Sequence, residues 1–230
     1  MYRLSYSTFS VARVMMALCV FFCHVFERFN DFGFLFVGVF FFMSGFGMEY
    51  MNKRLFSLTR AVPYILYFVW FSLVYFLFFR VFIYPSSWFL VVYFVVMVIY
   101  RFVTNIYALL WSFIALAFFF VFLGFEFGWA ASFGGFLFGV FFARNPSAFN
   151  FFNTFCIVPL SLLAFTWHVE AALWCLIPFF SWCVFSVCSH PLLRKIAPLG
   201  DYTFYFYCIH CYLFCVLNFE FNDVLCFGFM

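Results

Sequence analysis

Charge is what this sequence has least of: 8% of its 230 residues are Asp, Glu, Lys or Arg, against about a quarter in an ordinary soluble domain. Hydrophobic residues make up 70%, and the mean hydropathy is +1.15. A chain with so little polar surface to offer water is excluded from the soluble globular class, and an integral membrane protein is expected. The net charge of +3 then reflects orientation in the bilayer, and no nucleic-acid partner is expected.

Other absences narrow the class further. No small-residue cleavage site follows the first apolar segment, and Arg13 interrupts what would be its apolar core, so that segment reads as a retained helix and not a secretory signal. Leu18, in Met16-Ala17-Leu18-Cys19, is too bulky for a lipoprotein signal. No pair of segments broken by Gly and Pro suggests the inverted repeat of a transporter. Of the ten cysteines, only Cys226 lies outside the apolar segments. The others act as small hydrophobes and imply no disulfide framework.

What is present is Phe, 49 of them, spread through every apolar stretch as a compositional bias in place of Leu and Ile. Apolar blocks fall near residues 7–26, 34–50, 62–82, 88–103, 105–123, 132–143, 150–167, 171–188 and 203–219. Some are shorter than the ~20 residues of a straight span, which tilt or re-entrance accommodates. The expectation is an all-α, polytopic transmembrane helix bundle of about nine helices. With the N-terminus cytoplasmic, alternate loops place Arg3, Lys53, Arg54, Arg60, Arg101, Arg144, Arg194 and Lys195 inside, leaving Arg28 and Arg80 outside. That asymmetry supports the N-in orientation.

Arg13 and His24 are the most informative residues. Eleven steps of about 100° bring them to nearly the same face of the first helix, about 16 Å apart along its axis. Ionisable groups inside a membrane helix are costly unless they line a polar cavity or meet a ligand, which makes the pair a candidate site. The alternative is an Arg that snorkels to the headgroups and a His at the interface.

Further motifs follow in order. Phe36-Val-Gly-Val-Phe-Phe-Phe-Met-Ser44-Gly45-Phe46 comes next, then Arg60-Ala-Val-Pro63-Tyr64 and Trp88-Phe-Leu90. A late stretch reads Leu199-Gly200-Asp-Tyr-Thr203-Phe204-Tyr-Phe-Tyr207-Cys-Ile-His210. With the first-helix Arg and His, this series resembles the membrane acyltransferase 3 family, over roughly residues 10–215, with hydropathy alone contributing between 105 and 195. The resemblance implies a single acyltransferase 3-like transmembrane domain over 1–230, lacking a final helix, since family members usually run considerably longer. It also departs from the family at Gly38, where an acidic or proline residue is frequent.

The activity implied is O-acylation, by an acyltransferase transferring groups other than aminoacyl groups. An acyl group, usually acetyl, leaves acyl-CoA on the cytoplasmic side and ends on a hydroxyl of a cell-surface carbohydrate or lipid-linked sugar. Acetyl-CoA is thus donor substrate, with no bound cofactor and no metal, and the implied location is a bacterial cytoplasmic (inner) membrane. The residues suit the chemistry. Arg13 can pair with a CoA phosphate through charge-assisted hydrogen bonds, and His24 can accept the proton of the acceptor hydroxyl, an unperturbed imidazole titrating near about 6.5.

Lesser candidates carry two readings each. Ser44 is a nucleophile or a small residue allowing close helix approach. Arg54 and Arg60 hold anionic CoA or simply obey the positive-inside rule, and Trp88 lines the site or belongs to the aromatic belt. His210, mid-helix, makes a helix-to-helix hydrogen bond or meets the active cavity. His168 and Glu170 suit an acceptor site or solvent; His190, before a proline in a cytoplasmic turn, reads as inert. Cys208-x-x-Cys211 with His210 is a poor metal set because His210 points away from the shared cysteine face. Two other classes compete with the enzyme: a haem-binding membrane cytochrome using His24, His168 and His210, and a non-catalytic transporter or channel.

Overall fold

A computed structural model describes residues 5–25, 30–50, 58–79, 87–103, 105–109, 111–112, 115, 127–151, 162, 169–203, 205–206 and 209. Among these, all regular secondary structure is helical, so the all-α expectation holds. The helices are α1 (Tyr6–Val25), α2 (Asn30–Tyr50), α3 (Leu58–Phe79), α4 (Ser87–Phe102), α5 (Phe127–Arg144), α6 (Pro146–Phe151) and α7 (Val169–Cys188). A 3₁₀ helix, η1 (Pro191–Tyr202), follows. The predicted apolar blocks at 105–123, 150–167 and 203–219 lie mostly outside the described residues.

Polar side chains set the helix ends. Ser5 caps α1, its Oγ accepting from the Thr8 amide at 3.3 Å. Asn145 closes α5 by donating from Nδ2 to the Phe141 carbonyl at 3.0 Å, and Pro146 opens α6 at the position where a missing N–H costs nothing. The segment expected as a turn after α7 is instead the 12-residue η1. His190 is its N-cap, Nδ1 accepting from the Leu192 amide at 3.4 Å. Between Leu176–Cys188 and Pro191–Tyr202 the axis bends by 109°. Pro191 forbids continuation of α7, since it brings no N–H to the ladder and restrains the residue before it.

α2 is the hub, packed on α5, α1 and α7. Its contact with α5 is backbone on backbone. A Cβ added to Gly139 would lie 2.1 Å from the Phe42 carbonyl oxygen, one on Gly135 2.4 Å from that of Gly38, and one on Gly45 2.2 Å from that of Phe136. Only glycine permits such an approach, which brings the two backbones into direct dispersion contact. Gly38 thereby acquires a structural meaning, as the surface on which Gly135 rests. Phe41, Phe42 and Phe136 are fully buried around this crossing.

Register shows which way each helix runs. Gly135 meets Gly38, Gly139 meets Phe42, and Arg144 reaches Glu49, so α2 and α5 are parallel. α4 follows them, Phe41 against Tyr93 and Glu49 against Tyr100. α1 opposes them: Phe9 lies 6.4 Å from Tyr50, while Val20 packs on the cluster containing Val37. Among the described residues, Tyr6–Cys23 is the one unbroken helix long and apolar enough to cross a membrane; the bent pair Leu176–Cys188 and Pro191–Tyr202 passes the same test jointly. Leu35–Tyr50, Ile65–Val74, Val92–Phe102 and Ser132–Arg144 are apolar but shorter.

Candidate functional site

Arg13 projects from α1 about two turns after its start. Its Nη2 donates to Ser10 Oγ at 3.1 Å and lies 3.7 Å from Asp201 Oδ1. The guanidinium carbon stands 5.9 Å from the centre of the Tyr6 ring, within reach of a cation–π attraction. Tyr6 in turn donates its hydroxyl to the same Asp201 oxygen at 2.9 Å. The reason these groups meet is periodic: Tyr6, Ser10 and Arg13 share one face of α1 at steps of four and three. Asp201 is delivered by η1, whose Gly200 rests on α1 so closely that a Cβ would come within 2.6 Å of the Ser10 carbonyl oxygen.

The Arg13 side chain is 34% exposed and that of Asp201 59%. Both polar contacts of Arg13 use one nitrogen. Nε and Nη1 have no hydrogen-bond partner among the described residues, but each shares its donor edge with Nη2. Each of these two nitrogens can donate a single hydrogen bond to an anion's oxygen, whereas a two-pronged grip on either edge would share Nη2.

A second polar cluster shows the contrast. Arg144 of α5 donates through Nε to Glu49 Oε1 at 3.0 Å and through Nη2 to Oε2 at 3.3 Å. Tyr100, 1% exposed, donates its hydroxyl to Glu49 Oε2 as well. With side chains only 23% and 16% exposed, this pair has its fork filled. It ties α2, α4 and α5 together at their C-terminal ends.

The remaining candidates divide. Ser44 donates its hydroxyl to the Phe40 carbonyl of its own helix at 3.0 Å, which satisfies it locally and fits the packing reading. His24, Arg60 and Trp88 belong to α1, α3 and α4, and Glu170 to α7, but their side chains lie outside the described residues. Arg54, His168 and His210 lie outside them altogether, as do Cys208 and Cys211. The structure thus brings Arg13 together with residues that sequence reading gave no role, Tyr6, Ser10 and Asp201. The signal for Tyr6 and Ser10 was available in their helical spacing from Arg13. For Asp201 it was weaker, an acidic residue inside an apolar motif. Glu49, an acid ending an apolar block, and Arg144 were read only as loop charge or not at all.

No protein-family model, curated protein or solved structure matches the chain significantly.

Proposed function

We propose that this protein is an integral membrane O-acyltransferase of the acyltransferase 3 type, moving an acyl group, acetyl in the first instance, from acyl-CoA to a hydroxyl of a cell-surface carbohydrate or lipid-linked sugar. The observation that carries the reading is the meeting of Arg13 with Gly200-Asp201. Two of the motif segments behind the resemblance, at opposite ends of the chain, converge on one guanidinium that is about one-third exposed.

A polytopic bundle in a cytoplasmic membrane is supported by the alternation of helix direction: α2, α4 and α5 run one way and α1 the other, as consecutive crossings from the second, fourth and sixth apolar blocks require. On α3, Ile65, Leu66, Val69, Trp70 and Leu73 are all exposed, an apolar surface suited to hydrocarbon and costly in water. The polar groups Tyr6, Arg13, Glu49, Tyr100 and Arg144 gather at one end, which under the positive-inside rule is the cytoplasmic one.

The chemistry then runs along α1. Arg13 holds a CoA phosphate at the cytoplasmic end by a charge-assisted hydrogen bond from Nε or Nη1, and the acyl thioester extends toward His24, about 16 Å further along the helix. His24 accepts the proton of the acceptor hydroxyl as its oxygen attacks the thioester carbonyl carbon. The C–S bond breaks, the CoA thiolate leaves, and the proton on the imidazolium is available to it. Removing a general base costs about 10²–10⁴ in rate; removing a charge-assisted anchor worth about 1.5–3 kcal/mol weakens donor binding roughly ten- to hundredfold.

The test is transfer from labelled acetyl-CoA in membranes carrying the wild-type chain, His24→Ala or Arg13→Ala at matched expression. Label on an endogenous glycan or lipid-linked sugar with wild type only is the expected result. Equal labelling in all three removes this mechanism, and labelling that does not depend on CoA removes the enzyme reading.

A further inference from the structure

We infer that η1 is an interfacial helix that binds anionic phospholipids of the cytoplasmic leaflet: Arg194 and Lys195 pair with their phosphates, while Leu192, Leu199 and Tyr202 seat at the boundary between headgroups and acyl chains. The inference rests on the bilayer reading given above.

η1 begins at the end of the bundle assigned to the cytoplasm, because the last turn of α7 packs at the level of Phe9, near the start of α1, with 5.3 Å between the Phe185 and Phe9 ring centroids. The axis then turns by 109°, which lays η1 close to perpendicular to α7 and so along the membrane surface. Contacts at both ends keep the segment from rolling. At its start the His190 ring accepts from the Leu192 amide. At its end Gly200 rests on Ser10 with no room for a Cβ, and Asp201 accepts from Tyr6.

Leu193, Ile196 and Ala197 pack on the core and Gly200 is buried, which fixes the inner side. What remains outside is itself amphipathic. Leu192, Leu199 and Tyr202 are 69%, 54% and 63% exposed. Arg194 and Lys195, exposed as well, stand between Leu192 and Leu199 in the sequence. At three residues per turn Leu192 and Lys195 share one ridge, and Leu199 and Tyr202 another. Neither cation has a hydrogen-bond or ion-pair partner among the described residues. Asp201, the one acid in η1, is already engaged by Tyr6 and stands beside Arg13.

A turn standing free in the cytosol would satisfy the cations and leave three large apolar side chains in water. An anionic lipid surface answers both. Long basic side chains reach phosphate oxygens, while their own methylenes and the neighbouring leucines seat beneath. Charge selects the lipid class. Zwitterionic phosphatidylcholine carries the same phosphate, but its ammonium cancels the net attraction that each Lys or Arg gains from an anionic headgroup.

The experiment titrates the purified full chain in detergent micelles with phosphatidylglycerol or phosphatidylcholine and counts bound lipid by native mass spectrometry, with melting temperature recorded alongside. The variants are Arg194→Gln, Lys195→Gln and, as a charge-matched comparison, Arg101→Gln in the last turn of α4. Wild type should bind phosphatidylglycerol roughly tenfold or more tighter than phosphatidylcholine. Each η1 variant should weaken phosphatidylglycerol binding roughly fivefold at unchanged melting temperature and leave phosphatidylcholine binding as it was. Arg194→Lys should keep most of the affinity, and Arg101→Gln should lose less than either η1 variant. Equal losses from all three positions would show diffuse charge and no site on η1. Wild type binding both lipids alike would overturn the proposal as well. A second arm adds CoA to the same micelles: η1 variants that lose CoA and keep phosphatidylglycerol would give the cations to the donor and overturn the lipid assignment. Release of the chain from membranes by alkaline extraction would overturn the bilayer reading and this surface with it, a result distinct from a membrane-retained chain indifferent to lipid charge.

Discussion

Replacing Gly139 by alanine adds one methyl group and should loosen the α2–α5 pair. The added Cβ would lie 2.1 Å from the Phe42 carbonyl oxygen, 2.7 Å from the Phe46 amide nitrogen and 2.9 Å from the Phe42 carbonyl carbon. All three are main chain within a helix, so no side chain can turn away. Restoring ordinary contact requires the helices to separate by roughly 1 Å, a gap that forfeits about a quarter to a half of each dispersion contact across it. With about 40 such contacts at about 0.1–0.2 kcal/mol each, the loss is about 1–4 kcal/mol. Alanine returns about 1 kcal/mol of helix propensity, leaving a net destabilisation of about 0–3 kcal/mol, or about 1–4 kcal/mol relative to a glycine-to-alanine change that meets no clash. Gly33→Ala is the internal control: it lies in α2 and meets nothing within 4 Å, so it gains propensity without a clash. The assay is reversible unfolding in mixed micelles by increasing sodium dodecyl sulfate, followed by far-ultraviolet circular dichroism. Gly139→Ala as stable as Gly33→Ala would refute the close-contact account.

Other outcomes follow from the same geometry. Arg144→Met should destabilise the chain by about 2–3 kcal/mol, because it strands a mostly buried carboxylate beside Tyr100; adding Glu49→Gln should recover part of that loss in the same unfolding assay. Gly200→Ala should force η1 off Ser10, where the added Cβ would lie 2.6 Å from the carbonyl oxygen, and destabilise the chain in the same unfolding assay; stability equal to wild type would argue against that close contact. Phe9→Ala should cost about 3–5 kcal/mol, since the ring contacts Phe46, Tyr50 and Phe185 at once. Alkaline extraction of membranes should leave the chain in the pellet, and release into the supernatant would sink the bilayer assignment.

The predicted starts and ends of α1, α2, α4 and α7 were legible to within a few residues, because apolar runs bounded by Arg, Lys, Asn and Pro need no tertiary information to be seen. The 3₁₀ helix was not. Its Pro191, Pro198, Arg194 and Lys195 read as a polar turn, and what makes it a helix is docking of Leu193, Ile196 and Ala197 on the core, a contact with no local signature. Arg13 was found by its cost in a membrane helix, yet its neighbour Asp201 was invisible until the chain closed on itself. Glu49 and Arg144 illustrate the same limit: each charge alone ends a helix, and only the parallel register of α2 and α5 turns them into a pair.

That register has a mechanical meaning. Two helices in main-chain contact at Gly38, Gly45, Gly135 and Gly139, pinned at one end by Glu49 and Arg144, have no side-chain cushion to absorb displacement. They act as one beam. α1 and η1 lie outside that beam and are tied to each other by the close approach of Gly200 to Ser10 and by the contacts of Asp201 with Tyr6 and Arg13.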